Sequence, residues 1–144
     1  MKLPLKLIFK KGLVLILEFT FNDTGIKKDK FVVILNKKFN EENPIYFILP
    51  TTKVEPYKNK YQHKDHLIVK KGESKCFNKE NVFDFENIME KSYKDFENVY
   101  NNKLIQVKGI LENEIIDKID DHIKESKTIA KYIKKIILGE NFKN

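Results

Sequence analysis

Residues 52–66 hold the densest set of chemically capable side chains in the sequence. Lys53, Tyr57, Lys58, Lys60, Tyr61, His63, Lys64 and His66 follow the pair Thr51 and Thr52. Lysines neutralise phosphates and tyrosine faces stack on unpaired bases, so this interleaving suits a single-stranded nucleic acid. The same residues also compose a plain exposed loop. His66 adds an imidazole, the group whose ordinary pKa lies nearest working pH and which serves as general acid or base. His63 and His66 are three apart, but the third histidine, His122, lies far along the chain. That spacing supplies no metal set, and neither a metal nor another cofactor is expected.

Other candidates carry less. Glu18 and Asp23 flank the end of the first apolar run, and either can act as a base if residues 22–30 fold over the site. Asp120 and Asp121 read as the solvated face of a helix. The five glycines are too scattered for a phosphate-binding or dinucleotide loop, and no nucleophile elbow is present. Cys76 is the lone cysteine, so no disulfide forms within the chain, and no local motif marks it as a nucleophile. All 28 fixed side-chain cations are lysines, and the net charge is +7. That balance favours a polyanionic partner, or it reflects lysine-rich solubility.

These residues need a scaffold, and 144 residues suit one domain with one core. Residues 13–21 read as a strand buried on both faces at first and on one face later. Residues 31–35, 45–49, 66–70, 82–88 and 104–110 read as further strands, with polar loops at 22–30 and 51–65. Ile88, Met89, Tyr93, Phe96 and Tyr100 recur at helical spacing and predict a helix over 86–98. Ile115, Ile116, Ile119 and Ile123 form one C-terminal helical stripe, and Ile129, Ile133, Ile136 and Ile137 a second. Ser126 divides two helices or lies within one, and Gly139 sits where a helix ends. The expected class is α+β, mainly β with a C-terminal helix, a small SH3-like barrel over about 12–111 closed by a helical segment over about 112–138. No apolar stretch reaches the length of a membrane span and no signal peptide is read, so the expected setting is cytoplasmic, without a membrane partner.

Four short segments, taken in order, resemble the PemK/MazF-like toxins of bacterial type II toxin–antitoxin systems. They are GLVLILEF at 12–19, KFVVILN at 30–36, LPTT at 49–52 and VKGIL at 107–111. The resemblance implies an SH3-like barrel, a homodimer, metal-independent cleavage of single-stranded RNA and neutralisation by an acidic antitoxin. The implied reaction is attack of the 2′-hydroxyl on the adjacent phosphorus with loss of the 5′-oxygen. It needs a base, an acid and positive charge on the phosphorane oxygens. The family's arginine before the second strand falls on Lys30, and its threonine after the third falls on Thr52, or on Thr51 if the register slips by one.

Lysine is a point charge where arginine is a planar fork, so Lys30 grips a phosphate differently, with Lys28 and Lys53 as alternative cations. His66 is the candidate acid or base, and Lys28, Lys53, Tyr57, Lys58, Lys60, Tyr61 and Lys64 the candidate RNA contacts. Two other readings stand beside the endoribonuclease. One is a degenerate or gyrase-poison-like member of the same barrel class that acts on a protein. The other is an RNA-binding module without cleavage.

Overall fold

The apolar runs that open the first strand and fill the third offer no polar face to water, so each must be covered on both sides. In the computed structural model, which describes residues 3–20, 25, 27–58, 65–102 and 106–139, they occupy the middle of a sheet. Five antiparallel strands lie in the order β6-β3-β2-β1-β7. They are β1 (Leu13–Thr20), β2 (Lys27–Ile34), β3 (Ile45–Ile48), β6 (Met89–Lys91) and β7 (Gln106–Ile110). A separate antiparallel ribbon joins β4 (His66–Val69) to β5 (Asn81–Asp84). Five α-helices complete the described residues: α1 (Leu5–Ile8), α2 (Glu55–Lys58), α3 (Tyr93–Asn102), α4 (Asn113–Glu125) and α5 (Lys131–Leu138).

One face of the large sheet, with Leu13, Leu15, Leu17, Val32, Ile34, Ile45 and Phe47, forms a core with Leu5 of α1 and Tyr93, Phe96 and Tyr100 of α3. The other face, with Val14, Val33, Tyr46 and Ile48, joins Val69 and Phe83 of the ribbon. Ile115, Ile119 and Ile123 of α4 and Ile137 of α5 complete that second core. Each fully buried aliphatic or aromatic side chain contributes roughly 1.5–3 kcal/mol.

The architecture is therefore mixed α+β, not mainly β, because helices cover one face and half of the other. Three local differences from the sequence reading have physical causes. β2 begins at Lys27, inside the expected loop, because Lys27–Lys30 pair with residues 17–20 of β1 across a hairpin, and ladder bonds tolerate charged side chains there. The expected strand over 82–88 breaks at Asp84, whose carboxylate caps a 3-10 turn at Phe85–Asn87. The expected helix over 86–98 starts only at Tyr93, because Ser92 Oγ accepts from Asp95 N at 3.1 Å and fixes the first turn there. Ahead of it, Met89–Lys91 pairs with Ile45–Phe47 of β3.

Ser126 does divide the C-terminal segment in two. Its Oγ accepts from Thr128 N and Ile129 N, both at 3.2 Å, which turns the chain. Lys134 of α5 is 7% exposed, and its Nζ donates to Lys124 O at 3.0 Å and Ser126 O at 2.6 Å, capping the end of α4. Gly139 caps α5 with φ +103°, a conformation that favours glycine.

β6 and β7 are the edges of the large sheet and do not pair with each other among the described residues. In β7 the register shifts so that Val14 faces Gly109 and Leu15 faces Val107, leaving Lys108 as an extra, bulged residue. A bulge and a lysine are devices that guard a sheet edge against a foreign strand. No helix among the described residues is long and apolar enough to cross a membrane.

Candidate functional site

Pro50 lacks the amide hydrogen that a continuing ladder would use. The β2–β3 pairing ends at Val33 and Ile48, and the chain crosses instead to the ribbon. Thr51 N donates to Val82 O at 3.1 Å and Val82 N to Thr51 O at 2.8 Å, the isolated bridge that links the large sheet to the ribbon. Thr51 Oγ1 then accepts from Lys53 N at 3.1 Å, turning the backbone. One helical turn follows in α2, where Tyr57 N donates to Val54 O.

The ring of Tyr57 lies 5.3 Å from that of His66, at the first residue of β4. Residues 52–66 therefore leave and re-enter the fold at one place. Tyr57 Oη donates to Asp84 Oδ2 at 2.9 Å, and Asp84 also accepts from Asn87 Nδ2 at 2.8 Å and from Glu86 N at 2.9 Å. His66 and Asp84 are directly paired in the ribbon, so their side chains share its outer face. Burial, and then the bond to Asp84, push the Tyr57 phenol up from its ordinary value, so it stays protonated and acts as a donor.

Around these groups is a cleft of about 290 Å³ lined by Ile48, Leu49, Thr51, Lys53, Pro56, Tyr57, Asp84 and Asn87. It has apolar walls, an aromatic ring, a hydroxyl, a carboxamide, one exposed ammonium and the Asp84 carboxylate, which is already engaged by three donors. Among the residues singled out by sequence, Thr51, Lys53 and Tyr57 line it and His66 touches it through Tyr57. Thr52 is exposed beside it and does not line it.

Lys58 is one residue further on, with its Nζ 2.9 Å from Glu80 Oε1 at the surface. Lys30 is half-buried in β2 opposite Leu17. Continuing the β2–β3 register would set it level with Thr51, but the two strands have already separated there. Lys28 is placed by its backbone, opposite Phe19. Lys60, Tyr61, His63 and Lys64 lie outside the described residues, as does Asp23.

Two residues of the cleft escaped the sequence reading. Asp84 and Asn87 sit in a segment that reads as strand, although an aspartate two residues before Glu86 is a turn-capping signal. His122 does not line the cleft. Its Nδ1 lies 2.6 Å from Asp65 Oδ1, and its ring stacks on Phe85 at 5.0 Å. Asp65 and Phe85 lie just beyond the end of the ribbon, where Phe85 N donates to Asp65 O at 2.9 Å. Among the described residues no group of three or more histidines, cysteines or carboxylates suits a metal ion. Burial pushes the Cys76 thiol up, away from nucleophilic character.

The cleft can hold a planar ring against Tyr57, a phosphate oxygen on Lys53 or Thr51, and a proton on His66. No protein-family model, curated protein or solved structure matches this chain.

Proposed function

We propose that this chain binds single-stranded RNA at the cleft between β3 and the ribbon and cleaves it by attack of the 2′-hydroxyl, without a metal. The observation that carries the reading is the gathering of Thr51, Lys53, Tyr57 and His66 at the base of one basic, tyrosine-bearing loop. In this reading Tyr57 stacks on a base, and Lys53, which lines the cleft, offsets charge on the phosphorane. Thr51 holds a phosphate oxygen and His66 transfers the proton. Thr51 takes the role that the resemblance to PemK/MazF-like toxins gives to Thr52, since Thr51 lines the cleft. The bridge between Thr51 and Val82 joins the chain just past β3 to the ribbon, which supports reading the two sheets as parts of an SH3-like barrel. As a toxin of that kind the protein would act in the cytoplasm as a homodimer and be held in check by an acidic antitoxin.

The test is incubation of purified protein with single-stranded RNA in excess chelator. Products bearing 2′,3′-cyclic phosphate and 5′-hydroxyl ends are expected. His66→Ala is expected to slow cleavage by about 10²–10⁴-fold and Lys53→Gln by about 10²–10³-fold. RNA left intact at large protein excess overturns the cleavage. Salt-dependent binding in that case leaves an RNA-binding module.

A further inference from the structure

The opposite end of β2 carries a second basic pocket that this reading does not use. It lies between the loop that joins β2 to β3 and the last turn of α5. Lys37, Lys38, Lys135, Asn40, Asn43 and Phe39 line it, with Ile136 and Gly139, around a space of about 200 Å³. Lys37 follows Lys30 by seven residues, so the pocket is roughly 20 Å from the cleft at strand rise.

The loop is held from several sides. Asn36, 2% exposed, donates through Nδ2 to Pro44 O at 2.9 Å and accepts at Oδ1 from Tyr46 N at 2.7 Å, which fixes its neck. Asn43 N donates to Asn40 O at 3.1 Å, and Asn40 Oδ1 accepts from Glu42 N at 2.9 Å. Phe39 packs edge-on against Phe9 and Tyr93, at 5.9 and 4.9 Å. The backbone carrying Lys37 and Lys38 is thus set before any ligand arrives.

A helix C-terminus would ordinarily repel an anion. Here three of its last carbonyls are already engaged. Lys135 O accepts from Gly139 N at 2.8 Å, Ile136 O from Lys37 N at 3.5 Å and Ile137 O from Lys11 Nζ at 2.7 Å. Among the described residues that line it none is acidic, and Glu41 and Glu42 are exposed at the loop tip. A Cβ on Gly139 would stand 2.8 Å from Lys37 Cδ and 3.1 Å from Lys37 Nζ, so this lysine lies across the helix end against the glycine. The Lys11 ammonium is held below its ordinary pKa, first by burial, with Lys37 among the lesser causes, although Asp120 pulls it the other way. The backbone of the corner is preformed, and it carries the three exposed ammonium groups of Lys37, Lys38 and Lys135.

We propose that this pocket binds a phosphate group. Three separate ammonium groups suit a tetrahedral dianion, two carboxamides can donate to its remaining oxygens, and Phe39 offers an apolar wall beside it. The site stands independently of RNA cleavage at the other end of β2.

The test is a titration of the full chain with inorganic phosphate, followed by amide chemical shifts. Saturating shifts are expected at Lys37, Lys38, Asn40, Asn43 and Gly139. Removing two charges in Lys37→Gln/Lys135→Gln is expected to weaken binding about tenfold, whereas removing two exposed charges in Lys70→Gln/Lys71→Gln is expected to leave it unchanged. Parallel titrations with a 5′-mononucleotide and with an oligonucleotide lacking terminal phosphates identify the source, the tighter ligand being the one the pocket fits. Non-saturating shifts, or equal weakening by the two lysine pairs, would falsify the proposal. So would binding that appears only once residues 140–144 are deleted, because their Glu140 would then be the anion that fills the pocket.

Discussion

His122 of α4 and Asp65, just before β4, meet at 2.6 Å although 57 positions separate them. The pair ties a helix to a two-stranded ribbon that is too small to be stable alone. Both side chains are about one-third exposed, so solvent weakens the contact. His122→Ala and Asp65→Ala are each expected to lower stability by about 1–2 kcal/mol in urea unfolding. A double-mutant cycle should return a coupling of about 0.5–1.5 kcal/mol, and additive losses would show that the contact contributes nothing.

Asp84 accepts from Tyr57, Asn87 and Glu86 and is 6% exposed. Asp84→Ala leaves three donors without a partner and is expected to destabilise by about 1–3 kcal/mol. Tyr57→Phe removes one donor and should lose about 1 kcal/mol. The Tyr57 phenol has a raised folded pKa, so its contribution is complete below its unfolded value of 10.0 and fades as pH rises through the folded one. Ultraviolet titration of the tyrosines should show one group returning toward its ordinary value in Asp84→Asn.

Glu112 leads into α4 and accepts from Lys75 N at 2.9 Å. Burial pushes its carboxyl up, but hydrogen bonds, the first from Lys75 N, outweigh burial and hold it below its ordinary 4.5. The sign follows: its contribution is present above pH 4.5 and lost as pH falls through the folded value. Acid unfolding of Glu112→Gln should therefore show a shallower dependence on pH in that window, and an unchanged acid limb would count against the assignment.

Lys134 is a buried cation whose partners are two backbone carbonyls at the end of α4. Lys134→Ala is expected to lose about 1–3 kcal/mol, read from a lower urea midpoint with unchanged slope. Lys135→Ala, one residue on and exposed, should lie within about 0.5 kcal/mol of the parent.

Much of this molecule follows from patterns within short windows. The doubly covered run at Leu13–Leu17, the strands at Ile45 and His66, and the two isoleucine stripes all follow from period and composition. What escaped depends on partners distant in sequence. Met89–Lys91 is a strand because β3 lies beside it, and nothing in those three residues announces that. Ser92 was a local signal for the start of α3, overshadowed by the apolar spacing of Ile88 and Met89. In the cleft, Thr51, Lys53, Tyr57 and His66 were legible because one loop carries them all. Asp84, Asn87 and the Asp65–His122 pair were not, because the ribbon register and the docking of α4 bring them into place.

The contact between Tyr57 and His66 closes residues 52–66 at their base. The chain between Lys58 and Asp65 can be lengthened, shortened or rewritten while both sheets keep their register, since the ends to be joined are already side by side. A segment grafted from another protein would need to match the spacing between those ends and to leave Asp65 in reach of His122.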